Sequence, residues 1–196
     1  MHELVVLIGV VVVLMAATTL LFRTVKPAVY VLEQIFLYCS VAIILVVMAF
    51  VGAEVLMRYT FNSPIPGHLE GSELLMPIIV FLAISYAQRE RAHVGMDFVL
   101  EAMPPSARRV ATIGTLLISI IVCAIFSWFS GKAAYQLWLY DDVTMTPPYF
   151  KTWPAQASIS LGYGLLFFRM FLQTLSEIAP ERFPDEARED HELHTE

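Results

Sequence analysis

The chain has 196 residues, of which 58% are hydrophobic and 15% charged, well under the roughly 25% charge of a soluble domain. Its net charge of −6 belongs entirely to the last twenty residues, which hold eight acids and two bases, while the rest of the chain sums to zero. An acidic tail argues against nucleic-acid or anionic-lipid binding there, and no nucleic-acid partner is expected.

Charge is absent from residues 4–22, 34–53, 74–88, 110–131 and 152–168. A bilayer core of about 30 Å needs roughly 20 apolar residues as helix, and these runs are apolar on every face rather than alternating as barrel strands do. An all-α integral membrane protein is expected: a bundle of four transmembrane helices, an additional N-terminal hydrophobic helix, and short interfacial helices. The membrane domain covers residues 1–176 and an acidic tail covers 177–196.

The first span is expected at 4–22. His2 and Glu3 stand where a cleaved signal carries basic residues, so a retained helix is favoured. Arg23 and Lys26 come next, and Pro27 is expected to block continuation. The second span, 28–57, is longer than a crossing needs; Tyr30, Glu33 and Gln34 fit a tilt or an interfacial first turn. Within it Glu54 precedes Arg58 by four residues, the spacing of an ion pair on one helix face. The "NSPIPG" stretch then marks a turn.

The third span is expected at 69–88, with Glu70 in its first turn, Glu73 one turn on, and Pro77 near its start. A carboxylate at Glu70 faces the positive end of that helix dipole, and Arg58 across the turn is its expected partner. The charged stretch "QRERAHVGMD" ends this span. Residues 93–103 place Val94, Phe98 and Met103 on one side and Asp97 and Glu101 on another, which suits a short surface helix. The fourth span, 106–129, opens after Pro104 and Pro105. Residues 131–140, in a loop rich in Tyr and Trp, suit a helix lying on the interface. The fifth span, 155–176, contains Arg169, which can snorkel or pair with a carboxylate on a partner subunit. The tail, with two prolines and eight acids, should be disordered and solvated.

Lysines and arginines between spans number eight on one side and three on the other. The positive-inside rule therefore puts the N-terminus outside and the C-terminus in the cytoplasm.

Little in the chain suggests chemistry of its own. Cys39 and Cys123 both sit in apolar runs without a CxxC partner and read as small buried hydrophobes. None of the five histidines lies mid-span, His191 and His194 lack an evident third ligand, and no GxSxG, HExxH or GxxxxGK[ST] occurs. No catalytic residue, cofactor or metal site is expected, and the spans look nearly empty of polar groups.

The order of short motifs resembles the small membrane subunit, DctQ-like, of tripartite ATP-independent periplasmic (TRAP) transporters. The matching residues are Arg58-Tyr59, Phe61-Asn62, Glu70 with Glu73, Phe81-Leu82-Ala83, Arg89, His93-Val94, Asp97, Met103-Pro104 and Arg108. Trp153, Pro154 and Gly162 extend the likeness more weakly. Leu69 stands where the family often has a second glutamate, and the first span is additional to the usual four. The resemblance implies an inner-membrane scaffold, not an enzyme. Its partners would be a large membrane subunit, which moves solute and sodium, a periplasmic solute-binding protein that delivers an organic acid or similar solute, and membrane lipids. Arg58, Glu70, Glu73, Arg89, His93, Asp97 and Arg169 become the structural or interface candidates. For His93 and Asp97, two readings stand: an inner basic loop that sets topology, or a surface helix held against the large subunit. The rival class is a stand-alone channel or membrane enzyme with its polar site at 88–101.

Overall fold

The computed structural model describes residues 2–20, 22–90 and 104–178. These residues form five helices: α1 His2–Leu20, α2 Phe22–Phe61, α3 His68–Arg89, α4 Pro105–Leu139 and α5 Trp153–Ile178. Four of them, α2 to α5, are long and apolar enough to cross a membrane. The described apolar stretch of α1, Ile8–Thr19, is shorter.

Two helices run further than expected. α2 has 40 residues and carries Pro27 inside it. A proline costs one helical hydrogen bond and crowds the carbonyl four residues back. Here that carbonyl belongs to residue 23, in the first turn, so the loss falls near a helix end. α4 has 35 residues and absorbs the separate surface helix expected at 131–140. Gly131, the weak point in that stretch, is braced by close packing against Ser160, and the helix ends only at Tyr140. The surface helix expected at 93–103 and the acidic tail beyond Ile178 lie outside the described residues.

α5 is the central element, packing most extensively on α4 and α3 and also touching α2. Ile120, Cys123 and Ala124 of α4 meet Leu166, Phe167 and Phe171 of α5 in the main core. Between lipid-facing helices there is no hydrophobic driving force, so close packing and interhelical hydrogen bonds hold the bundle. The α4–α5 seam uses both. Ser127 Oγ donates to the Ser160 carbonyl at 3.0 Å and Ser160 Oγ donates to the Ser127 carbonyl at 2.9 Å. Gly131 and Gly164, each four residues after one of these serines, let the backbones approach. At the α3–α5 crossing a Cβ on Gly162 would collide with the Phe81 carbonyl oxygen, so only glycine fits there.

α2 packs on α3. Its buried residues Val29, Glu33, Ser40 and Glu54 include three polar ones at spacings of seven and fourteen. A seven-residue repeat keeps one helix face turned to a neighbour. Its outer face leaves Tyr38, Leu45, Val46, Met48 and Leu56 exposed. Cys123 is buried as expected, but Cys39 is exposed on α2; an all-apolar helix gives little sign of which side is packed.

Candidate functional site

The polar groups of the described bundle concentrate at its two ends. At the end where α3 and α5 finish and α2 begins, Glu33 is 0% exposed and Arg169 is 1% exposed. Arg169 Nη1 lies 4.0 Å from Glu33 Oε2, and Ser85 Oγ donates to Glu33 Oε1 at 2.7 Å. The Arg169 guanidinium stands 4.9 Å from the Tyr30 ring centroid. Arg89 approaches the same ring at 5.0 Å, and Lys26 at 5.8 Å. Next to this cluster Gln88 Nε2 donates to Gln173 Oε1 at 2.9 Å, and Gln173 Nε2 donates to the Gln88 carbonyl at 3.3 Å. Arg109 Nη2 donates to the Glu177 carbonyl at 2.9 Å, satisfying an end carbonyl of α5 and complementing its dipole.

These contacts tie α2, α3 and α5 together, with α4 joined through Arg109. The expectation of nearly empty spans is therefore corrected: a carboxylate and a guanidinium are buried together between helices. Of the two readings of Arg169, the carboxylate partner proves to be intramolecular, and the side chain does not snorkel to the surface. Glu33 does not lie in a solvated interfacial turn; its place at the edge of the uncharged run 34–53 disguises it. The signal that finds it is the face it shares with Ser40 and Glu54. Ser40 Oγ donates to the Ile79 carbonyl at 2.8 Å.

At the opposite end, Glu54 is 3% exposed and accepts from Arg58 Nε at 2.8 Å, the pair expected from their spacing. His68 Nδ1 lies 3.9 Å from Glu54 Oε1. The expected Arg58–Glu70 pair does not form. A partner four residues away on the same helix meets Arg58 without any loop having to position it. Glu70 instead accepts from Thr146 Oγ1 at 2.5 Å.

Thr146 belongs to the 140–152 loop, which folds back on itself. Thr144 N donates to the Phe150 carbonyl at 2.9 Å, and Thr152 N to the Asp142 carbonyl at 3.2 Å. The loop packs over the start of α3. Gly67 there has φ +74°, and a Cβ on it would collide with the Pro148 ring. Positive φ suits glycine, and the close loop demands it. Glu73 is exposed on α3. His93 and Asp97 lie outside the described residues.

The arrangement is one of cross-bracing. Among the described residues no group of three or more His, Cys, Asp or Glu could hold a metal ion. The buried cluster brings cations, a ring and a carboxylate within reach of one another.

Comparison with known proteins agrees with the motif order. The family model for the DctQ component of tripartite ATP-independent periplasmic transporters matches residues 47–179. The C4-dicarboxylate TRAP transporter small permease protein DctQ of Vibrio cholerae serotype O1 (strain ATCC 39315 / El Tor Inaba N16961) is similar, with 27% identity over 86 residues. That alignment covers 44% of this chain and 35% of the relative.

Proposed function

This chain belongs to the DctQ family of TRAP transporter components, and from that premise we propose that it is the static brace of a three-part importer. In this reading it holds a large membrane subunit while that subunit moves solute and sodium. A periplasmic binding protein delivers the solute, an organic acid or a related small molecule. The chain sits in a bacterial inner membrane with its N-terminus outside and its C-terminus in the cytoplasm, as the basic residues favour.

The observation that carries this reading is the pairing of the buried charges. Transport sites near the midplane use broken helices and polar groups open to a pathway. Here Glu33 and Glu54 flank a stretch of α2, residues 34–53, without a single charge. Each is turned inward and bound to an arginine of the same chain. Among the described residues, the first of these pairs ties helices of the bundle together, and neither pair faces a broken helix. The outer face of α2, rich in exposed Leu, Val and Met, is the surface suited to a hydrophobic partner. The family match favours a transporter component over the stand-alone reading with a site at 88–101.

Two measurements test this. Affinity purification of the tagged chain from mild detergent should bring down a many-helix membrane protein at equal stoichiometry. Proteoliposomes holding this chain alone should take up no organic acid under a sodium gradient. Uptake by the isolated chain, or purification without a membrane partner, would sink the reading.

A further inference from the structure

A half-open cleft of about 610 Å³ lies between α1, α4 and α5. Its α1 wall is Val10, Val11 and Leu14, and its floor includes the Ser127–Ser160 seam with Gly131 and Gly164. A second hollow, also about 610 Å³, adjoins it beneath the first turns of α2 and shares Ser127, Ser160, Gly164 and Phe168. The α1 wall lies outside residues 47–179, the part of the chain that matches the family.

The lining is polar mainly toward one end. Lys132 and Tyr135 line the cleft on the side of the 140–152 loop. Lys132 is the first charge after the uncharged run 110–131. That run is about 33 Å of helix, close to the hydrocarbon thickness. Lys132 therefore stands at the depth of phospholipid phosphates when the start of the run stands at the opposite face. Trp128, one turn deeper, also lines the cleft. Its indole N–H is buried and has no acceptor among the described residues. A buried donor without an acceptor is costly, and tryptophan at this depth belongs to the aromatic belt, where ester and phosphate oxygens supply acceptors.

We propose that this cleft is a specific site for one bilayer glycerophospholipid, its acyl chains in the apolar hollows and its ester or phosphate oxygens at Trp128 and Lys132. A transmembrane helix of another protein fits the space less well. A helix with its side chains is about 10–12 Å across. An acyl chain is narrower and runs along the groove. The lipid then fills the gap between α1 and the α4–α5 seam, joining α1 to the bundle.

Native mass spectrometry tests this on the full chain extracted in mild detergent with its co-extracted subunits. One glycerophospholipid should remain per chain after washing. Val10→Trp, which fills the cleft from the α1 side, should lower its retention about tenfold, a change of about 1.4 kcal/mol. Trp128→Phe, which keeps an aromatic though smaller ring and removes the donor, should lower retention roughly two- to tenfold. Val13→Trp is the control, because Val13 is 66% exposed and is not part of the lining; it should retain lipid like the parent. Adding phosphatidylglycerol or phosphatidylethanolamine back to stripped protein, each alone, reads which headgroup binds more tightly. No retained lipid, or equal loss in Val10→Trp and Val13→Trp, overturns the proposal. So does a Val10→Trp protein that keeps its lipid but loses a co-extracted subunit, since a protein helix then occupies the cleft.

Discussion

Removing one partner of the buried pair should harm the bundle more than removing both. Arg169 Nη1 and Glu33 Oε2 are 4.0 Å apart, with both side chains almost wholly buried. Two unit charges at that distance attract by about 4 kcal/mol at an effective dielectric constant of about 20, an attraction set against the cost of burying both. Arg169→Met roughly keeps the volume and removes the Arg169 charge from beside Glu33. The loss expected for breaking a buried pair in this way is about 3–5 kcal/mol. Interhelical polar contacts measured inside membranes average only about 0.6 kcal/mol, with a maximum of about 1.7, because an unfolded chain in lipid finds other partners. We therefore expect about 2–3 kcal/mol for Arg169→Met and a similar loss for Glu33→Leu. The double variant should lose less than either single one, because no charge is left uncompensated. The assay is reversible unfolding of the purified chain in mixed micelles with increasing SDS, monitored by tryptophan fluorescence and circular dichroism. A double variant whose loss equals the sum of the two single losses would refute the reasoning, since it would mean that the two charges do not feel each other.

The same geometry sets three further outcomes. Gly162→Val should cost more than 3 kcal/mol, above the usual range of about 1–3 for overpacking, because the added carbon meets Phe81 backbone and not a movable side chain; the yield of monodisperse protein on size exclusion reads this, and a normal yield refutes it. Glu70→Ala and Thr146→Ala each break one exposed hydrogen bond, so on the proposed function each should leave membrane insertion intact and lower co-purified large subunit and whole-cell uptake. Their double variant should be no worse than either, and wild-type assembly in Glu70→Ala would show that the contact is incidental. Reporters active only in the periplasm should work at the N-terminus and fail at the C-terminus; an active C-terminal fusion reverses the orientation.

The helical class and the approximate spans are legible because a bilayer crossing imposes a length and forbids charge, and both marks are written directly in the sequence. The extra length of α2 and α4 is not. Pro27 and the aromatic stretch 131–140 are local stop signs, and neither stops its helix: the proline falls close to a helix start, where it costs least, and Gly131 is held against Ser160. The Arg58–Glu54 pair is legible from a spacing of four. The Glu70–Thr146 contact is not, because 76 residues separate the partners and only the folded loop brings them together. Arg169 stands out as a charge within a span, yet the sequence alone leaves its carboxylate free to come from another subunit. Glu33 is hidden at the edge of an uncharged run, where a glutamate is ordinarily solvated.

Glu33, Ser40 and Glu54 share a face of α2 at multiples of seven residues, and that face explains why the helix needs polar groups at all. Apolar side chains in lipid pack against a neighbour and against acyl chains almost equally well. A helix as uniformly apolar as residues 34–53 therefore has little to fix its rotation. Three polar groups on one stripe remove that freedom. Any rotation that carries Glu33 or Glu54 toward lipid exposes a carboxylate, at a cost of several kcal/mol. With the rotation fixed, the opposite face of α2, with Tyr38, Leu45 and Met48 exposed, is presented in one orientation. The brace proposed above, meeting its partner along a helix face, would need that definition. The charges buried inside the bundle thus set which surface the chain shows outside it.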